Sequence, residues 1–152
     1  MPTSSPIVSI RRKITLAVLC TFGASACGGT EQDVLSAYQA NDTESRTFQI
    51  SMGQAWNAAH AALLWNDADS VVEHSTERCM IGIAGFTPWS YGHAMGVWIE
   101  PVRPDVTRIR VVVSRALATT VSAPSESSLL NDIERALILE KRGLPLPDSD
   151  PD

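Results

Sequence analysis

Read by its alternation of apolar and polar positions, the chain splits into an apolar leader, a polar stretch, a strand-and-helix segment and a proline-rich tail. Residues 46–50 (Arg-Thr-Phe-Gln-Ile) alternate and predict a short strand with Phe48 and Ile50 on one face. Ser51 and Gln54 follow in the spacing of a capping box, where each side chain satisfies a backbone N–H, and predict a helix over 52–65. At about 100° per residue, Met52, Ala55, Trp56, Ala59, Ala62 and Leu63 share one face of that helix, and Trp65 falls opposite, under a loop or partly exposed. Strands are expected over 70–74, 78–84, 94–102 and 106–115, the last being the strongest, with Ile109, Val111 and Val113 alternating against Arg108, Arg110 and Val112. A second helix follows Pro124, with Ser125 or Ser127 as N-cap, a stripe of Leu129, Ile133, Ala136 and Leu137, and Gly143 as its stop.

The order is therefore β-α-β-β-β-β-α. The expected class is α+β: a small two-layer sandwich in which two helices cover one face of a mainly antiparallel sheet of four to five strands. The boundaries that go with it are a signal peptide over 1–26, a flexible tether over 27–45, a single α+β domain over 46–143 and a disordered acidic tail over 144–152.

The leader carries the most specific pattern. Arg11, Arg12 and Lys13 precede an apolar run over 14–26, which ends in Ala24-Ser25-Ala26 before Cys27-Gly28-Gly29. A helix over 14–26 would be about 20 Å long, short of the ~30 Å hydrocarbon core, so export fits better than a permanent span. Residues 24–27 resemble the lipobox of a bacterial lipoprotein signal, a likeness that implies cleavage before Cys27 and lipid attachment to its sulfur. Ala24 stands where that pattern places a larger aliphatic residue, and Ala24-Ser25-Ala26 also satisfies the A-x-A rule of ordinary signal cleavage. Twin-arginine export is a poor match around Arg11-Arg12.

Charge narrows the partners. Without residues 1–26, which hold three of the positive charges and no acidic residue, the net charge is −8. No nucleic acid is expected as a partner, because neutralising phosphates takes clustered Lys and Arg. Cysteine usage then couples to the leader. Cys20 departs with the signal peptide; a lipidated Cys27 leaves Cys79 a free, buried thiol, whereas an unlipidated Cys27 invites a Cys27–Cys79 disulfide in an oxidising compartment.

Candidate chemistry is thin. His60, His74 and His93 match no metal-ligand spacing, and no cofactor, metal or catalytic residue is expected. Cys79 beside a histidine is conceivable as a nucleophile pair, but its register with Ile81 and Ile83 places it in a core. Asp67, Asp69 and Glu73 lie in a helix-to-strand connection, where turn capping is the ordinary use of Asp. Trp89 and Tyr91, in an aromatic Pro- and Gly-containing loop, are candidates for partner contact, the alternative being that this loop folds back over the sheet.

A broader likeness rests on Phe48, on Ala55-Trp56-Asn57-Ala58-Ala59 running to Ala62-Leu63, and on Ile81-Gly82-Ile83. This pattern resembles small lipoprotein modules of Gram-negative envelopes and implies a similar α+β fold and the same compartment, with no catalytic residue to carry over. The expected function is that of a lipid-anchored cell-envelope protein, a non-catalytic binding or accessory module whose membrane partner is reached through Cys27. Gly28 in place of an aspartate fits sorting to an outer membrane. The alternatives are a secreted or periplasmic enzyme of hydrolase type, or an inhibitor or immunity-type protein.

Overall fold

All four strand pairings of the sheet are antiparallel, and its spatial order is not its chain order. The computed structural model describes residues 29–85, 92–115 and 123–151. Its elements are α1 (Glu31–Gln39), β1 (Glu44–Phe48), α2 (Met52–Trp65), β2 (Ser70–His74), β3 (Cys79–Ala84), β4 (His93–Arg103), β5 (Val106–Arg115) and α3 (Glu126–Lys141). The strands lie in the order β1-β5-β4-β3-β2, a meander of four with β1 added beside β5. β1 and β2 are thus the two edges, and α2 carries the chain from one to the other.

The face under α2 and α3 is the main core. Met95 opposite Val113, Val97 opposite Val111 and Ile99 opposite Ile109 form its centre across β4 and β5. Ala55, Ala58, Ala59 and Ala62 of α2 are fully buried there, since a helix surfaced with methyl groups lies close on a sheet. α3 contributes Leu129, Leu130, Ile133, Ala136 and Leu137. Its Glu126 Oε1 also accepts from Val113 N at 3.1 Å, satisfying a β5 amide beyond the end of β1.

The expected strands, the α2 span and the Ser51/Gln54 capping box are present, and the α+β class holds. The two-layer arrangement with two helices does not. A third helix, α1, covers the opposite face of the sheet, so the order becomes α-β-α-β-β-β-β-α in three layers. The segment expected as a tether over 27–45 therefore holds α1 and the start of β1. Its apolar stripe is sparse: Val34 alone is fully buried, flanked by the partly buried Leu35 and Tyr38. The helix is started by Thr30, whose hydroxyl accepts from Asp33 N at 3.2 Å while the Asp33 carboxylate accepts from Thr30 N at 2.9 Å.

What α1 covers is a second apolar cluster of Val34, Cys79, Ala94, Trp98 and Val112. The Trp98 indole lies across Gly96, and Tyr38 stacks on it with ring centroids 3.9 Å apart and planes 7° from parallel. A Cβ at Gly96 would come within 2.5 Å of Trp98 Cζ3 and would also strike Val34, so only glycine leaves room for both.

The tail departs from expectation as well. Described through residue 151, it runs without regular structure over α2 and α3 instead of detaching from them. Trp65 Nε1 donates to Pro147 O at 2.8 Å, Leu146 packs on the core, and Asp150 pairs with Arg135, whose guanidinium lies 5.4 Å from the Trp65 ring. Trp65 is accordingly buried, beneath the tail.

Two glycine substitutions of the same kind should act in opposite directions. Gly96→Ala is expected to cost about 1–3 kcal/mol through overpacking of Trp98 and Val34. Gly53→Ala, in the exposed first turn of α2 with nothing within 4 Å of the added methyl, is expected to stabilise by about 0.4–1 kcal/mol. Urea unfolding followed by tryptophan fluorescence and circular dichroism measures both.

Candidate functional site

The fold disperses the chemically capable residues. His74 and Cys79 are cross-strand partners on the α1 face. His60 projects from α2, in the opposite layer, and His93 opens β4, five residues before Cys79's partner Trp98. Among the described residues, no group of three His, Cys, Asp or Glu side chains is placed to hold a metal ion. Asp69 serves a turn, its Oδ2 accepting from Gly85 N at 2.6 Å. Cys27, Trp89 and Tyr91, the expected lipid and contact residues, lie outside the described residues.

One concave site does draw several polar groups together. A cleft of about 320 Å³ runs between α2, β2 and the tail, with Asn57, Ala61 and Leu64 on the helix side and Leu146, Pro147 and Asp148 on the tail side. Trp56, His60 and Glu73 complete it. Helical spacing explains the lining, since Asn57, Ala61 and Leu64 recur at four and three residues and form a stripe beside the buried alanine face. A second hollow of about 270 Å³ lies across Trp56, bounded by Met52, Gly53, Asn57 and Ser75. Met52 and Trp56, expected on the core-facing side of the helix, thus form its outer border; Met52 is 39% exposed. Ala55, Ala58, Ala59, Ala62 and Leu63 are fully buried, Trp56 packs half-buried at the edge of that core, and Met52 lies outside it.

His60 and Glu73 face each other in the cleft without a hydrogen bond. His60 Nε2 lies 3.9 Å from Glu73 Oε1, beyond hydrogen-bond distance, and both side chains are more than two-fifths exposed. A pair so open is screened by water and holds no fixed geometry for proton transfer. The Asn57 amide is engaged, donating to Glu140 Oε1 at 3.3 Å. What remains is the indole of Trp56 flanked by carboxylates and an imidazole.

Apolar periodicity misses the cluster around α1. Besides the ring stack, Tyr38 Oη donates to Glu100 Oε1 at 3.4 Å, and Arg110 Nε lies 3.0 Å from that same oxygen. At the other end of the helix, Glu31 Oε1 sits 3.2 Å from His74 Nε2. The one available signal is the spacing of Thr30 and Asp33 in a T-x-x-D capping pattern.

Cys79 is a free thiol, buried to 2% exposure. Burial, reinforced by the Glu77 and Glu31 carboxylates, pushes it up to about 11. A thiol held there is protonated at neutral pH and cannot serve as an activated nucleophile. His93 is buried as strongly, and desolvation holds its imidazole below the ordinary value of 6.5. The Asn66 backbone and the Asp67 carboxylate act in the opposite sense without offsetting that, and Arg115 adds to the depression.

Two measurements check these states. Cys79 in the folded protein is expected to resist iodoacetamide at pH 8 and to react only on unfolding; rapid alkylation of the native protein would contradict its burial. For His93, the unfolded chain binds a proton before the folded one as pH falls. Its contribution is complete above 6.5 and is lost as the pH drops through that value toward the lower folded one. The urea midpoint should therefore fall between pH 7.5 and about 5.5, with a shallower slope in His93→Leu.

No protein-family model matches the chain, and no curated protein matches it with significance.

Proposed function

We propose that the chain is a lipid-anchored cell-envelope module that works by contact at the membrane surface and not by catalysis. The observation that carries this reading is the order of the leader: three basic residues, a short apolar run, then Ala24-Ser25-Ala26-Cys27. Lipid on Cys27 would also account for Cys79 standing as an unpaired thiol. Gly28 after the cysteine fits retention at an outer membrane if the source is Gram-negative. Among the described residues, no helix is long and apolar enough to cross a membrane.

Support for a contact role comes from the state of the reactive groups. The described thiol is buried and protonated, and His60 with Glu73 is open to water. The concave surface around Trp56 is where a partner or small ligand would be received; Trp89 and Tyr91 remain a second proposed contact. The alternative, a secreted hydrolase, would draw on a histidine–carboxylate pair such as His60 with Glu73 or His74 with Glu31, because the cysteine route requires a thiolate that burial disfavours.

Attachment is tested by growing cells with labelled palmitate and recording the intact mass of the mature protein. Label and a diacylglyceryl increment are expected in the native chain and lost in Cys27→Ala. Label that persists in the variant, or a native mass matching unmodified residues 27–152, would overturn the reading.

A further inference from the structure

We infer that the anchored domain is joined to its lipid by a single-residue spacer, with the end of the sheet where β4 begins and β5 ends turned toward the headgroups. This inference rests on lipid attachment at Cys27, as proposed above, and adds to it an orientation.

The argument starts from Gly29, the first described residue. It is buried, and its backbone lies so close to the sheet that a Cβ there would sit 2.5 Å from Ser114 O and 2.6 Å from Ala94 N. Ser114 and Ala94 are paired residues at the end of β5 and the start of β4. The chain therefore joins the domain flush against one end of the sheet. Immediately afterwards Thr30 caps α1, which is fastened by Val34 in the second core and by the stack of Tyr38 on Trp98.

Only Gly28 separates this buried glycine from Cys27. Two Cα steps of about 3.8 Å place the Cys27 Cα within about 8 Å of that of Gly29. The polar layer of one leaflet is itself roughly 5–8 Å thick, so the spacer is used up in crossing it. A flexible tether over 27–45 would instead give a root-mean-square reach of roughly 25 Å and leave orientation free. Covalent length, and not charge, sets the geometry; residues 27–152 carry a net charge of −8, which gives anionic lipid little to attract.

The orientation places the opposite end of the sheet in water. α2 starts at that end, since it follows β1, whose Phe48 pairs with Thr107 near the beginning of β5. The hollow beside Met52, Trp56 and Ser75 is therefore held away from the lipid, where a soluble partner reaches it.

The test uses the full lipidated chain reconstituted into vesicles of phosphatidylethanolamine and phosphatidylglycerol that contain nitroxide-headgroup lipid. Single cysteines carrying a fluorophore are placed at Ser70→Cys and Arg115→Cys, near the proposed membrane end, and at Asp105→Cys in the far β4–β5 turn. All three positions are exposed. Positions 105 and 115 are roughly 30 Å apart along β5, so quenching at 70 and 115 should be several-fold stronger than at 105. Inserting about twenty Gly/Ser residues between Gly28 and Gly29 should abolish that difference, because the added spacer reaches some 25 Å. Equal quenching at both ends without the insertion, or stronger quenching at 105, would overturn the orientation while leaving anchoring intact. A native mass without acyl chains overturns the anchoring and the orientation together, and is recognised before any quenching is recorded.

Discussion

The arrangement on the α1 face of the sheet turns on one indole. Trp98 lies flat across Gly96, because the missing Cβ is the only way to bring the ring down onto the strand, and Tyr38 closes over it. A ring stack of this kind contributes about 0.5–1.5 kcal/mol beyond its buried area. That is modest against a whole domain, but α1 is a nine-residue helix with one fully buried side chain. Isolated helices of that length are marginal in water, so its stability must come from this docking. Cys79 and Ala94 are covered as a consequence, and the chain from Gly29 onward is drawn onto the sheet.

The opposite face obeys a different constraint. There the cover is thick, with two longer helices, and α2 approaches the strands through alanines. Close approach by small residues leaves no space between helix and sheet for an indole at position 56. Trp56 is displaced to the helix flank, where it separates two hollows. Trp65, at the other end of the helix, joins the core and is covered by the tail, its N–H paired with the Pro147 carbonyl. An indole N–H buried without a partner would carry a desolvation cost, so the tail supplies an acceptor as well as apolar cover.

Legibility in the sequence followed how completely one face was buried. β5 was plain because Ile109, Val111 and Val113 alternate without interruption, and α2 and α3 because capping serines precede a periodic apolar stripe. α1 was not, since Glu31-Gln32-Asp33 and Gln39-Ala40-Asn41 frame too few apolar positions to register as periodic. Its partner surface gave a contradictory signal, with Trp98 and Val112 interleaved with Glu100, Arg108 and Arg110 as on a solvated face. Tyr38 resolves the contradiction by stacking on Trp98 with its ring and bonding Glu100 with its hydroxyl. The cleft around Trp56 was illegible for a related reason: helical periodicity assigned Trp56 to the core, and only the tail's return creates the opposite wall.

The same burial that orders the fold also decides what kind of function it can carry. Cys79 and His93 are each buried and held in their neutral forms. Converting either into a catalytic group would require exposing it, and for Cys79 that means lifting α1 and forfeiting the cover over Trp98. Stability and cysteine catalysis are therefore opposed in this architecture. Contact function meets no such conflict, because the hollows beside Trp56 lie outside the alanine seam and can be filled or emptied without disturbing it. The chain at Gly29 is held against one end of the sheet, while the hollows beside Trp56 lie on the flank of α2.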